Sequence, residues 1–166
     1  MDIAITLLRV IHIFSAIFWA GVTFFTLSIL EPTVRASGPE GSRFMARLAT
    51  VGGMSRTMGI AGAVVIISGL LMYGPVTGNL NPAVIFNGRL ALTLGAIAGL
   101  AAGVSGFLIQ GRTSGRLAKL GAAIAAQGQP PSPAQAQELA ALQAAMSRGT
   151  VISAVLMALA ILGMSL

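Results

Sequence analysis

The sequence predicts an all-α membrane protein in which four membrane-spanning helices form a bundle. Of its 166 residues, 55% are apolar and only 8% are charged, whereas about a quarter of the residues in an ordinary soluble domain are charged. The mean hydropathy is +0.89. These values exclude a soluble globular enzyme, a disordered chain and a nucleic-acid-binding domain, so no nucleic-acid partner is expected.

Four long apolar runs define the predicted spans within a single domain, residues 1–166. The first run ends at Glu31-Pro32, because proline disfavours helical backbone in the residue before it. The second ends in the same way at Gly74-Pro75. A spanning helix needs about 20 residues, with about 17 as the short limit. The predicted spans are residues 3–30, 56–74, 88–111 and 148–166.

The two longer links are also expected to be helical. Residues 39–52 place charged side chains on one face and apolar side chains on another, which predicts an amphipathic helix at the cytoplasmic membrane surface. Residues 112–147 predict a helical hairpin that extends helices three and four into the cytoplasm. Its turn covers residues 128–131, and Ser132 follows as an N-cap with Gln135 as its capping-box partner.

Positive charge is concentrated on two of the three links. Eight of the ten Lys and Arg residues lie in segments 31–57 and 112–149, and segment 75–87 carries no charge. With four spans, the first and third links lie on the same side of the membrane. Because cytoplasmic loops are enriched in Lys and Arg, we expect an inner (plasma) membrane protein with both termini outside.

Small residues recur along the third predicted span. Gly95, Gly99 and Gly103 follow each other at a spacing of four, so they form a ridge on one face of the helix. Such a ridge lets another backbone approach closely in lipid, where packing replaces the hydrophobic driving force. The partner is either another helix of the chain or a second copy, so a homo-oligomer through these glycines is one expectation.

The first predicted span carries a stripe of polar and small side chains that should face away from lipid. The stripe includes His12, the only histidine of the chain. An ionisable group inside a membrane is costly unless it is paired or used. Three uses remain open for His12: a hydrogen bond to another helix, axial ligation of haem or a metal ion, or a proton relay. The stripe consists of Arg9, His12, Ala16, Trp19, Thr23 and Thr26.

Other candidate binding residues lie at the same outer end. Arg9 and Arg89 fall near the outer ends of helices one and three. Two interpretations remain open for these arginines: their side chains extend to the membrane interface, or they bind an anion such as a haem propionate or a lipid phosphate. Met72 lies at a depth comparable with that of His12. Its thioether is a ligand type that suits Cu(I) and haem iron. Cysteine ligands are excluded, because the chain has no cysteine.

In the stretch from Leu8 to Phe25, His12 precedes an aromatic–glycine pair, Trp19 and Gly21, by about seven residues. With this pattern, helix one resembles the first helix of the copper-resistance-D-like superfamily of bacterial membrane proteins. The exit Glu31-Pro-Thr-Val-Arg35 and the segment Phe86-Asn-Gly-Arg-Leu-Ala-Leu92 are similar to the corresponding parts of related proteins. The relatives include predicted membrane proteins of unknown function and the haem-containing protoporphyrinogen oxidase.

The resemblance implies a periplasm-facing site for haem b, or for copper, that uses His12. Arg89 would take the place of a basic residue of the family, and Trp19 would lie beside the cofactor. Related haem proteins usually have a further histidine, and Asn87 stands at a corresponding place here. Two functional classes follow: a redox or metal- and haem-handling membrane protein, and a non-catalytic bundle whose His and Arg side chains are structural or bind lipid or a small anion.

Overall fold

The computed structural model describes residues 3–166, apart from the side chains at positions 39, 46, 49 and 50. This part of the chain is helical almost throughout and contains no strand. The elements are α1 (Ile3–Phe25), a first π-helical turn (Thr26–Leu30), α2 (Glu31–Ala36), α3 (Gly38–Thr50), α4 (Met54–Val76), α5 (Pro82–Gly88), α6 (Leu90–Ser105), a second π-helical turn (Gly106–Gly111), α7 (Arg112–Gln127) and α8 (Pro133–Ser165).

Four continuous helical stretches are long and apolar enough to cross a membrane, which confirms the prediction of a four-span helical protein. At 1.5 Å per residue, 34 helical residues extend over about 51 Å, whereas the hydrocarbon core of a bilayer is about 30 Å thick. Three of the stretches therefore extend well beyond the hydrocarbon core. The stretches are Ile3–Ala36, Met54–Val76, Leu90–Gln127 and Pro133–Ser165, of 34, 23, 38 and 33 residues.

The first helix does not end at Glu31-Pro32, and that prediction is wrong. The π-helical turn before these residues shifts the hydrogen-bond ladder, so that the Glu31 N–H donates to the Thr26 carbonyl five residues back. The missing N–H of Pro32 therefore falls where the α-helical pattern is already interrupted. The Thr33 hydroxyl donates to the Ile29 carbonyl at 2.7 Å, and the helix continues to Ala36.

The link between the second and third spans also differs from the prediction. Helix α4 continues through Pro75 to Val76, two residues beyond the expected end. The third span begins at Leu90, two residues after the expected start, because a separate short helix precedes it. Helix α5 is capped by the Asn81 side chain, which accepts from the Ala83 N–H at 3.0 Å. Arg89 breaks the helix between α5 and α6 with a φ of −127°.

The bundle consists of two extensive antiparallel helix pairs that pack against each other. Helix α1 packs against α4, and α6 packs against α8, while smaller contacts join α1 to α8 and α4 to α6. The centre contains a cluster of buried Ala20, Ala102 and Met157, with Trp19 packed against it. This small core holds the second half of α1 in place against α6 and α8.

The glycine ridge of the third span faces other helices of the same chain, which is one of the two partners that the sequence predicts for it. A Cβ built on Gly95 would lie 2.9 Å from the Ala160 carbonyl oxygen, and one built on Gly163 would lie 2.8 Å from the Gly95 backbone. Gly99 faces Ala160 at an ordinary distance, and Gly103 faces Ile66 of α4. A homo-oligomer through this ridge stays a prediction.

The two arginine-rich segments lie at the same end of the bundle. The Arg35 guanidinium donates to the Ser147 hydroxyl at 3.1 Å, and the Ser55 and Ser114 hydroxyls lie 3.3 Å apart. At this end the predicted capping box is confirmed, because Ser132 and Gln135 exchange both hydrogen bonds at the start of α8. Eight of the ten cationic residues are thus gathered on one side of the spans.

Candidate functional site around His12

The His12 imidazole of α1 is hydrogen-bonded to helix α4. Its Nδ1 lies 3.0 Å from the Val65 carbonyl oxygen and 3.1 Å from the Ser68 hydroxyl. A carbonyl only accepts, so Nδ1 must carry the proton and donate it. The Ser68 hydroxyl in turn donates to the Val64 carbonyl. A neutral His12 therefore keeps the lone pair on Nε2, and Nε2 has no hydrogen-bond partner within residues 3–166.

Gly69 provides the space for the imidazole on α4. A Cβ built on Gly69 would lie 3.0 Å from His12 Cε1 and 3.4 Å from Nδ1. The ring is half-buried and lies directly against the α4 backbone at this point. The close packing against Gly69 and the hydrogen bond to Val65, both from α4, fix the orientation of the ring.

The same packing recurs seven residues along both helices. A Cβ built on Gly62 would lie 3.3 Å from Cε2 of Trp19, just as Gly69 lies beside His12. Because α1 and α4 are antiparallel, two side chains seven residues apart on α1 meet two glycines seven residues apart on α4. A Cβ built on Gly103 of α6 would lie 3.9 Å from Cη2 of the Trp19 ring. The structure places Trp19 in helix packing, and its contact with a cofactor stays a prediction.

The polar stripe of helix one faces the bundle from His12 onward, as predicted. Thr23 is only 5% exposed, and its hydroxyl donates to the Trp19 carbonyl at 2.9 Å. The opposite face presents Phe14 and Ile17, which are 72% and 66% exposed. Only Arg9, at the end of the stripe, is exposed.

The remaining predicted site residues lie towards the same end of the bundle as His12. Arg9 precedes His12 by one turn, and Arg89 lies at the exposed junction between α5 and α6. Neither guanidinium has a hydrogen bond or ion pair to another residue of the described chain. Met72 is half-buried and lies one turn beyond Gly69, and its sulfur makes no hydrogen bond to His12 in the part of the chain that the structure covers.

A side-chain network crosses the same end of the bundle between α4 and α6. The Tyr73 and Thr93 hydroxyls lie 2.8 Å apart, and the Thr93 hydroxyl donates to the Arg89 carbonyl at 2.9 Å. Tyr73 directly follows Met72 in the sequence. The network therefore fixes the start of α6, and with it the backbone of Arg89, relative to the end of α4.

The site offers a single strong ligand for a metal ion. Residues 3–166 contain no group of three or more His, Cys, Asp or Glu side chains that could hold one. A closed structural zinc site, which needs four such ligands, does not fit this arrangement. A one-histidine site is still suited to haem iron, because the porphyrin supplies the four equatorial nitrogens and the protein supplies only axial ligands.

The α4 side of the site was not predicted from the sequence. The glycines Gly59, Gly62 and Gly69 suggest a close helix contact in the sequence, but Val65 and Ser68 escaped notice because an apolar helix with scattered glycines is compatible with many rotations. The useful signal was a matched spacing: His12 and Trp19 are seven residues apart on one helix, and so are Gly62 and Gly69 on the next.

Comparison with protein-family models, with curated proteins and with solved structures found no match to this chain. The fold therefore defines the class: a small, multi-pass, all-helical membrane protein. The resemblance to the copper-resistance-D-like superfamily stays a prediction that rests on the residues of helix one.

Proposed function

We propose that this membrane protein binds haem b through Nε2 of His12, with copper as the alternative occupant. The observation that supports the proposal is the hydrogen bond from Nδ1 to the Val65 carbonyl. Metal-ligating histidines almost always donate their other ring N–H to a carbonyl or carboxylate, which fixes the tautomer and raises the basicity of the ligating nitrogen. His12 has this arrangement on its Nδ1 side.

The residues present fit a haem that is held by one protein ligand. His12 would supply one axial position, and the other would be open, filled by Met72, or supplied by His12 of a second copy. Arg9 and Arg89, at the outer end, would bind the two propionates as bidentate cations. Haem bound in this way would supply one-electron redox chemistry or, with an open position, gas binding.

The proposed location is the inner membrane, with both termini and the haem site on the outer side. Support comes from the eight cationic residues at one end of the bundle, since Lys and Arg are enriched on the cytoplasmic side. His12 lies in α1 on the side of Trp19 away from that end. A periplasm-facing site would be within reach of haem or an electron partner outside the cell membrane.

A titration of the detergent-purified protein with haemin tests this function. The native chain should give a Soret band that saturates at one haem per chain, or at one haem per two chains if His12 of a second copy supplies the other ligand. His12→Ala should lose it, and His12→Gln should lose it too while still donating a side-chain N–H towards Val65. Ser68→Ala, which removes one contact of Nδ1 but no ligand, should keep the band. A Soret band of equal strength in His12→Gln would refute ligation by His12.

A second function is favoured by the same hydrogen bond. His12 would then serve only to join α1 to α4 in a non-catalytic bundle, whose Arg9 and Arg89 bind lipid phosphate or a small anion. Hydrogen bonds between membrane helices contribute about 0.6 kcal/mol on average and at most about 2 kcal/mol. This function predicts a colourless native protein in which His12→Gln is nearly as stable as the native chain and His12→Ala is less stable.

A further inference from the structure

We infer that the lipid-facing side of the α1–α4 pair is a binding site for one anionic phospholipid, with an acyl chain in a groove and the phosphate at the arginine-rich end. The site is separate from His12 and does not depend on the proposed haem function. Three features support it: the shape of the groove, the charge at one end of it and the helix that lies at that end.

The groove consists of two adjoining depressions between α1 and α4. Their volumes are about 300 and 390 Å³, and both are lined by Phe18 and Thr57. The first extends to Leu30 and Met54, and the second reaches Phe14. From residue 14 to residue 30, α1 and its π-helical turn rise by about 24 Å. One leaflet of the hydrocarbon core is about 15 Å thick, so the groove is long enough for an acyl chain that enters from one membrane surface.

The lining is almost wholly apolar, and small side chains create the concavity. Thr57 and Ala61 of α4 leave space beside the large rings of Phe14 and Phe18 on α1. These rings are 72% and 45% exposed, so the groove is open to lipid along its side. An acyl chain would bury both ring faces without having to enter the bundle.

Positive charge is concentrated in the segment that forms one end of this groove. Arg47 directly precedes the lining residue Leu48, and Arg56 directly precedes Thr57. Both arginine side chains are exposed. Residues 38–57 contain three arginines and a single acidic residue, Glu40. The local field therefore favours an anionic headgroup over a zwitterionic one.

Helix α3 lies at one end of the groove, where a headgroup would meet the protein. Leu48 and Gly52, at the end of α3 and just after it, line the groove. Phe44 and Val51, on the same apolar face as Leu48, are 53% and 88% exposed, so much of this face is not covered by the described part of the chain. An amphipathic helix with such a face lies in the membrane interface. This position brings Arg47 to the depth of the lipid phosphates.

Native mass spectrometry in detergent, with phosphatidylglycerol or phosphatidylcholine added, tests the site. The native chain should retain one phosphatidylglycerol in preference to phosphatidylcholine. Each of the two arginines should increase the affinity for phosphatidylglycerol over phosphatidylcholine by a factor of about five. Thr57→Trp should fill the groove and remove the retained lipid. The double change Arg47→Gln with Arg56→Gln should bring the preference close to one.

Two matched controls separate the site from general effects. Ile67→Trp adds the same ring to an exposed position of α4 outside the groove, and it should leave the adduct in place. The double change Arg116→Gln with Lys119→Gln removes two exposed cations from α7 at the same end, and it should keep the preference. Equal retention of both lipids by the native chain, or an equal loss in the controls, would overturn the proposal.

Discussion

His12 illustrates how one side chain can serve both the fold and a ligand. Nδ1 holds α1 to α4 through the Val65 carbonyl, while Nε2 is left for coordination in the proposed function. The sequence predicted that His12 would be paired or used, because an isolated ionisable group in a membrane is costly. It did not predict the partner, since backbone carbonyls of an apolar helix carry no sequence signature.

A substitution of Gly69 should report on the fit of the imidazole. In Gly69→Ala the new methyl group would lie 3.0 Å from His12 Cε1, so the ring must shift by a few tenths of an ångström. We expect a weaker hydrogen bond to Val65, a loss of about 1 kcal/mol in unfolding free energy and several-fold weaker haemin binding. Thermal melting in detergent and haemin titration measure these effects.

Gly59→Ala is the matched control for this change. Gly59 is on the same helix, and a Cβ built there meets nothing within 4 Å. Because alanine is the better helix former by up to about 1 kcal/mol, this variant should be as stable as the native chain or more so. If both variants behaved alike, the packing of His12 against Gly69 would not be important for the site.

At the scale of helices, the close approach of α6 and α8 depends on glycine on both sides. Gly95 and Gly163 lie back to back, whereas Gly99 meets Ala160 only at 3.7 Å. The ridge was predicted from its spacing of four, because that spacing puts small residues on one face. The sequence did not predict which helix packs against the ridge, since Gly163 belongs to no repeated motif.

Substitutions along the ridge should differ sharply in their effects. Gly95→Ala or Gly163→Ala would bring a methyl group within 3.0 Å of opposing backbone and force the helices apart. We expect each to cost about 1–3 kcal/mol, whereas Gly99→Ala should be close to neutral. Thermal melting of the three variants in the same detergent checks the order. Equal stabilities would show that α6 and α8 do not pack through this ridge.

The helix ends show where sequence patterns were insufficient. Pro32 and Pro75 were both expected to terminate helices, and both lie within continuous helical stretches. In a membrane helix proline is tolerated where local π adjustments and threonine hydroxyls compensate for the lost bond. The π-helical turn before Pro32 is such an adjustment, because it interrupts the α-helical hydrogen-bond pattern where the proline N–H is missing. Apolar runs locate spans well, but they do not reveal such local compensation.

At the scale of the whole molecule, the distribution of charge determines the proposed orientation. Hydropathy predicted the number of spans correctly, because each crossing needs its own run of apolar residues. The hydrogen bond between Arg35 and Ser147 brings the two arginine-rich links together at one end. The membrane side of that end stays a prediction.

Cysteine labelling provides a direct test of the orientation, since the chain has no native cysteine. Ala83→Cys is on exposed α5 in the uncharged link, and Gln129→Cys is in the exposed turn between α7 and α8. A membrane-impermeant reagent added to intact cells should label position 83 and not position 129. Labelling of position 129 alone would invert the topology and place His12 near the cytoplasm.

In the proposed function, His12 holds a haem or a copper ion in this bundle. The most direct measurement is the optical spectrum of the native chain purified from cells supplied with both haem and copper, together with its iron and copper content. We expect a Soret band with about one iron per one or two chains, or stoichiometric copper, and neither in His12→Gln. A native protein that is folded, colourless and metal-free would contradict the claim and leave His12 as a hydrogen-bonding residue between α1 and α4.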